Sequence, residues 1–298
     1  MTIDATGPTD YAMLLDAVRA IRWPARAVVR GGIPGAHTSR LRGISAEFTE
    51  YRPYRQGDET RRVDWKLFAR SDRAYIRLSN DRAILPTMIV LDASASMAFP
   101  VASQGKWKLA AQIGVALGAV ARNSGDPVGL VVARGDDSLI LPPRMRRSVT
   151  QEIVRAVSAV QPGGNDPLAP SITIASRAGG RVVVVSDLLG DTEELLLVAG
   201  RLVASGREVH IVHVVAGEEI DPPRDAMTVF DPEENQVRRA LTGETRESYV
   251  TAFAAWRDGI AHELSDAGVS YLVAIVGEET PDHLVRRIAA PRGAVVTA

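Results

Sequence analysis

Four side chains in this sequence have types and spacing suited to chemistry: Asp92, Ser94, Ser96 and Asp187. Asp92 closes the apolar run TMIVLD and is followed by Ala-Ser-Ala-Ser-Met, so the oxygens of Asp92, Ser94 and Ser96 recur at every second residue and can converge on one point. Asp187 closes a second apolar run, RVVVVSD. Together they offer a carboxylate, two hydroxyls and a second carboxylate, an oxygen-only donor set. Two carboxylates brought together repel unless a proton or a cation intervenes. Oxygen donors with few charges and room for water suit Mg²⁺, with Mn²⁺ or Ca²⁺ as substitutes, better than zinc. The alternative is a structural scaffold, in which the Asp-x-Ser-x-Ser turn caps a helix and holds no metal.

These residues meet only if the elements behind them place them so. From Pro86 onward short apolar runs alternate with helical patterns: TMIVLD (87–92), a helix over 106–125, PVGLVVA (127–133) and DSLIL (137–141) as its hairpin partner. A helix over 148–160, the run at 181–187, a helix over 192–206, REVHIVHVV (207–215), a long helix over 244–268 and VSYLVAIV (269–276) complete the series. Continuous apolar strands alternating with helices imply an α/β fold, a doubly wound and mostly parallel sheet covered on both faces. In the common strand order 3-2-1-4-5-6, ligands bind where the order reverses, outside the carboxyl ends of strands one and four. Strand one ends at Asp92 and strand four at Asp187, so element counting alone sets the two carboxylates side by side.

The chain is expected to divide into an N-terminal part, 1–85, and the α/β domain, 86–298. The first part opens with a helix over 11–23, ended by Pro24. Arg19, Arg22, Arg26 and Arg30 recur at steps of three and four, as a solvated face or a docking face for an acidic partner. Residues 44–82 read as extended chain and turns, with a short strand at Tyr75, Ile76 and Leu78. There Glu47, Glu50, Asp58 and Asp64 lie among Arg52, Arg55, Arg61, Arg62 and Arg70, and bidentate pairs can fix an irregular path. Phe48, Tyr51, Tyr54, Trp65 and Phe68 give this stretch either anchors for a structural brace or a partner-binding surface.

Composition narrows the function classes. The 298 residues contain no cysteine, which removes disulfides, thiol catalysis and Cys-ligated metals. No apolar run approaches the ~18 residues of a membrane span. The polar N-terminus lacks a signal-peptide core, so a soluble cytoplasmic protein is expected. Residues 1–87 carry 15 basic and 10 acidic side chains, net +5, against net −6 for the remainder. With acids interleaved among the arginines, the basic footprint of a nucleic-acid binder is missing. Enzyme signatures are equally absent. A haloacid-dehalogenase-type phosphotransferase needs a carboxylate two residues after its aspartate, where Ser94 stands. There is no phosphate-binding Gly-rich loop, dinucleotide fingerprint or nucleophile elbow. His210 and His213, three apart on one strand, face opposite sides and cannot share a metal. The chain is therefore expected to bind rather than catalyse; a metal-dependent phosphohydrolase using Asp92 is the enzymatic alternative.

The Asp92, Ser94, Ser96 and Asp187 arrangement resembles the metal-ion-dependent adhesion site of von Willebrand factor A domains. The resemblance implies a further ligand from a second loop, here Gly163-Gly164-Asn165-Asp166, with Asn165 where relatives usually carry threonine. The residues around Glu47-Phe48, Glu50-Tyr51-Arg52, Tyr54, Gly57-Asp58, Arg61, Val63-Asp64-Trp65-Lys66 and Ala69-Arg70 resemble the signature of the bacterial domain-of-unknown-function family number fifty-eight. That resemblance covers about residues 40–298. It implies a von Willebrand A-like domain that works beside a MoxR-type AAA+ ATPase, as an adaptor or chaperone-like partner. A client would supply an Asp or Glu to complete the coordination of the cation.

Overall fold

A computed structural model describes residues 8–25, 34–38, 48–55, 58, 60, 63–79, 82–134, 138–178, 180–223, 228–230, 238–240 and 242–290. Of the sequence expectations, those on Arg26, Arg30, Glu47, Gly57, Arg61 and Arg62 lie outside the described residues. The chain divides into two units, one formed by residues 1–23 with 86–298 and the other by residues 24–85.

The second unit contains β1 (Pro34–Thr38), β2 (Phe48–Pro53), α2 (Trp65–Ser71), β3 (Tyr75–Ser79) and β4 (Arg82–Ala83). β1 pairs with β4 and β2 with β3, both antiparallel. Val63 bridges to Ile76, and both are buried. An ion pair of the expected kind joins Arg52 to Asp58 at 2.9 Å and holds the Asp58 carboxyl below its ordinary range. Tyr51 Oη donates to Asp64 Oδ2 at 2.8 Å. The helix α2 departs from the expectation of mostly extended chain and turns over 44–82. Its cap is Asp64, whose Oδ1 accepts from the Lys66 and Leu67 amides at 3.0 Å each. A carboxylate at the N-cap satisfies amides that otherwise have no partner, and this starts the helix despite its aromatic content. Because α2 buries no residue fully, it has no apolar stripe for periodicity to find.

The first unit opens with α1 (Pro8–Ala17) and continues with β5 (Thr87–Asp92), α3 (Gly105–Asn123), β6 (Val128–Ala133), β7 (Leu139–Arg144), α4 (Val149–Ser158) and α5 (Ala169–Ser176). Next come β8 (Arg181–Ser186), α6 (Thr192–Ala204), β9 (Glu208–Val215), the single turn α7 (Gly217–Ile220) and the hairpin β10 (Thr228–Phe230) with β11 (Arg238–Ala240). α8 (Gly243–Asp266), β12 (Ser270–Ile275) and α9 (Pro281–Ala289) close the series. The central sheet has the order β12-β9-β8-β5-β6-β7. All pairs are parallel except β6–β7, the expected hairpin. Read from β7, this is 3-2-1-4-5-6, with the reversal between β5 and β8.

β5 shows why the sheet is buried on both faces. Ile89 and Leu91 enter one apolar cluster, with α1, α3, α4 and α9; Met88 and Val90 enter the other, with α5, α6 and α8. A strand with an apolar residue at every position has no solvated face and needs helices on both sides. α3 lies close to α4 and to β5 because Gly118 and Gly114 carry no side chains: a Cβ at Gly118 would meet Ile153 Cδ1 of α4 at 2.8 Å, and one at Gly114 would meet Leu91 Cδ2 of β5 at 3.0 Å.

The expected N-terminal part is divided in the fold. Tyr11, Leu14, Val18, Ile21 and Trp23 are buried in the cluster formed with α3 and α9. The Trp23 amide donates to Ser124 Oγ at 2.8 Å. The Trp23 ring lies 4.0 Å under the guanidinium of the fully buried Arg181, which also pairs with Glu208 at 2.9 Å. The amphipathic stripe of α1 needs an apolar surface to cover, and α3 with α9 supplies it.

Candidate metal and carboxylate site

The reversal point of the sheet brings together the residues expected there. Asp92 ends β5 and is 9% exposed. The turn that follows folds back on it: the Ser94 amide donates to Asp92 Oδ1 at 2.9 Å, and Ser94 Oγ lies 3.0 Å from Ser96 Oγ. Ser96 is buried within a short 3₁₀ turn, Ala95–Ala98, that Ser94 precedes. The loop carrying Asn165 is tied to the same turn by two backbone bonds, Gly163 N to Ala93 O and Ala95 N to Gly164 O, each 2.8 Å. Gly164 makes this possible with φ +83°, a left-handed conformation open to glycine. Asn165 is exposed and, with Asp92, Ser94 and Ser186, lines a cleft of roughly 340 Å³. Its other wall is apolar and comes from Leu168, Leu188, Leu189 and Leu195.

From β8, Ser186 Oγ donates to Asp92 Oδ2 at 2.6 Å. Asp187, the next residue, is 2% exposed. Burial, and then the charge of Asp187, push the Asp92 carboxyl up to about 6, against the hydrogen bonds from Ser186 and Ser94. Two carboxylates are therefore close enough to repel, as the strand order requires. Asp187 itself is not open to the cleft. Its Oδ2 accepts from Lys106 Nζ at 2.7 Å, and Lys106 reaches on to Glu219 Oε1 at 2.6 Å. Burial works against the Lys106 charge, but the carboxylates of Asp187 and Glu219 prevail and hold its pKa above the ordinary lysine value. Glu219, on α7, is kept in place by a bond from the Ala216 amide to its Oε2 at 2.8 Å.

The five residues expected to hold a cation thus separate by placement. Asp92, Ser94 and Ser96 form one turn, Asn165 stands on the neighbouring loop, and Asp187 faces a lysine. The donor set of Asp92, Ser94, Ser96 and Asn165 fits a hard divalent ion: all four ligating atoms are oxygens, one is a carboxylate raised in pKa by burial and by the charge of Asp187, and the cleft is open for water. Among the described residues no three of the Asp, Glu and His side chains cluster as a metal site, so hydroxyl and amide oxygens must supply most of any coordination.

Sequence reasoning missed Lys106, Ser186 and Glu219. A signal for Lys106 was present. It recurs with Ala110, Ile113 and Leu117 on one helical face, the buried face of α3. It is also one of only three lysines among 35 basic residues. A charge on an apolar stripe needs a buried partner. His210 and His213 point to opposite faces, as expected: His210 lies edge-on to Trp23, and His213 Nδ1 bonds Tyr271 Oη at 2.7 Å. Burial lowers His213 to about 4, so it stays neutral at physiological pH.

Among known proteins, an uncharacterized protein of Mycobacterium tuberculosis, Rv1480, is 26% identical over 294 residues, covering 96% of this chain and 92% of its own. The Mycobacterium bovis protein Mb1516, also uncharacterized, matches to the same extent. Among solved structures, BatB from Bacteroides thetaiotaomicron aligns over 69% of this chain and 97% of its own, at 18% identity and a TM-score of 0.46. The SpRpn10 VWA domain aligns over 71% and 100%, at 14% identity and a TM-score of 0.42. A family model described as "Protein of unknown function DUF58" matches residues 50–258, more than two thirds of the sequence, and the chain belongs to that family.

Proposed function

We propose that this chain is a protein-interaction module, not an enzyme, that reads an acidic side chain of a partner at the reversal point of its sheet. The ligands are Asp92, Ser94 and Ser96 with Asn165; the von Willebrand A resemblance implies Asp187 as well, which here is paired with Lys106. A bound Mg²⁺, or Mn²⁺ or Ca²⁺ in its place, would supply an electrophilic point for an incoming carboxylate. The observation that carries this reading is the buried Asp92 carboxyl, raised to about 6 at the floor of an open cleft and flanked by two hydroxyls. Asp92 fixes the charge, Ser94 and Ser96 orient neutral oxygens, and the Asn165 loop forms the rim.

The phosphohydrolase alternative lacks support in the same geometry. Asp92 accepts from Ser186 and Ser94, and no acid stands two residues beyond it. His213, the histidine bonded to the Asp187 side of the site, is committed to Tyr271.

The family resemblance implies a MoxR-type AAA+ ATPase as the partner, with a client that presents the acidic residue, in the cytoplasm. No described helix is long and apolar enough to cross a membrane. The test is affinity capture in Mg²⁺ buffer, with and without EDTA and with Asp92→Ala, seeking an AAA+ ATPase among the eluted proteins. The reading expects capture to disappear with EDTA and with the variant; undiminished capture in both sinks it.

A further inference from the structure

Lys106 is a fully buried cation placed against the carboxylate that the proposed site most needs. Its ammonium contacts Asp187 Oδ2 at 2.7 Å and Glu219 Oε1 at 2.6 Å, and it lies 5.6 Å from the centre of the Phe99 ring. It sits in the first turn of α3, a helix buried along most of its length, and is itself fully shielded from solvent. Asp187 Oδ1 is held in turn by the Leu189 amide at 3.3 Å, which leaves neither oxygen directed freely at Asp92. A lysine ammonium is a compact point charge able to bind several oxygens at once. Here it takes up an oxygen that Asp187 would otherwise offer to an ion.

Resting on the cation reading above, we infer that Lys106 is a built-in counter-ion: it holds Asp187 out of the inner coordination of the cleft and so weakens the site for divalent metal. Two carboxylates and two hydroxyls would bind a divalent ion more tightly than one carboxylate and two hydroxyls, since ligand charge count sets affinity at oxygen sites. With Asp187 neutralised by Lys106, the cleft retains one carboxylate, Asp92. Glu219 makes the arrangement self-consistent. It gives Lys106 a second anion, so the ammonium remains satisfied if Asp187 is drawn toward a metal. The site is thereby suited to an ion that binds weakly alone and firmly once a partner's acid adds the missing charge.

The test is Mn²⁺ binding, by calorimetry and by water-proton relaxation, to the full chain and to five variants. Lys106→Met alone strands two buried carboxylates and threatens folding. The working variant is therefore Lys106→Met with Glu219→Gln, which removes one cation and one anion and leaves Asp187 free. It should bind Mn²⁺ at least about tenfold more tightly than the unaltered protein, the scale on which residues around a metal site act. Adding Asp187→Asn to that variant should erase the gain, and Lys106→Arg should retain the weak binding of the unaltered chain. Asp187→Asn by itself, a change of one charge without a change of shape, should alter Mn²⁺ affinity less than about threefold, well short of what loss of a direct partner costs. Equal affinity in the unaltered and Lys106→Met/Glu219→Gln proteins overturns the inference, as does a tenfold loss on Asp187→Asn alone. In either case Mn²⁺ binding that Asp92→Asn abolishes leaves the cation reading standing. Binding by the Lys106→Met/Glu219→Gln protein but not by the unaltered chain supports the inference and overturns the cation reading. No binding to any of them up to about 10 mM, beyond the weakest oxygen sites, overturns both.

Discussion

At the scale of single residues, Asp92 couples the site to pH. Its folded-state pKa, about 6, stands above the ordinary value of 3.8, so between these values the native protein binds more protons than the unfolded chain. Stability from this group is complete below about pH 4 and is lost as pH rises through about 6. In metal-free buffer, Asp92→Asn removes this dependence because an amide never ionises. The melting temperature of Asp92→Asn relative to the unaltered protein should therefore climb between about pH 4 and 6 and level off above that. A difference that stays constant across that range would mean that the carboxyl is already neutral, or is ionised without penalty. Mg²⁺ should act against this, stabilising the unaltered protein at pH 7 and leaving Asp92→Asn unmoved, since a ligand of the folded state alone raises the melting temperature.

At the scale of elements, two turns carry more than their length suggests. Gly180, at φ +79°, opens β8, and a Cβ there would run into the Pro86 carbonyl oxygen. The same carbonyl accepts from the amide of the next residue, Arg181, at 2.8 Å, a bond that sets β8 beside β5. Gly180→Ala combines backbone strain with a clash and should cost about 2–4 kcal/mol in urea unfolding. The readout should include partner capture, because a shift of β8 moves Ser186 and Asp187 relative to Asp92. Asp64 is the corresponding device in the unit of residues 24–85. Asp64→Ala removes the bonds that Asp64 accepts from the Lys66 and Leu67 amides and from the Tyr51 hydroxyl. It should cost about 1 kcal/mol, read as faster proteolysis within 63–73 and little change in the melting of the sheet.

At the scale of the whole molecule, the stretch from Tyr11 to Trp23 belongs to the core of the α/β unit. A chain starting at Pro24 would leave bare the surfaces of α3 and α9 that Leu14, Val18, Ile21 and Trp23 cover. With each such side chain worth roughly 1.5–3 kcal/mol, its removal should lower stability by on the order of 5 kcal/mol and produce binding of a hydrophobic dye. An unchanged melting temperature would show that α1 is dispensable to the core. Arg181 extends the argument. It is fully buried at the start of β8, on the far side of the strand from the site, and Trp23 covers it. Loss of Trp23 would expose a buried ion pair as well as an apolar surface.

The sheet, its order and the meeting of Asp92 with the tip of β8 were legible in the sequence. Strands apolar at every position admit few arrangements, and a mostly parallel sheet with right-handed crossovers admits fewer still. Local alternation also sufficed to place Asp92, Ser94 and Ser96 on one turn. It did not reveal α2, whose start depends on a side-chain cap and whose residues have no buried stripe. It did not reveal that α1 joins the α/β unit, because an amphipathic stripe states only that it needs a partner. Above all it did not reveal the Asp187–Lys106–Glu219 ion pairs. Those residues are 81 and 113 positions apart along the chain from Lys106. Which of Asp187's possible cations it meets is decided where α3 packs on the sheet, because charges separated in sequence become neighbours only through the burial of the helices that carry them.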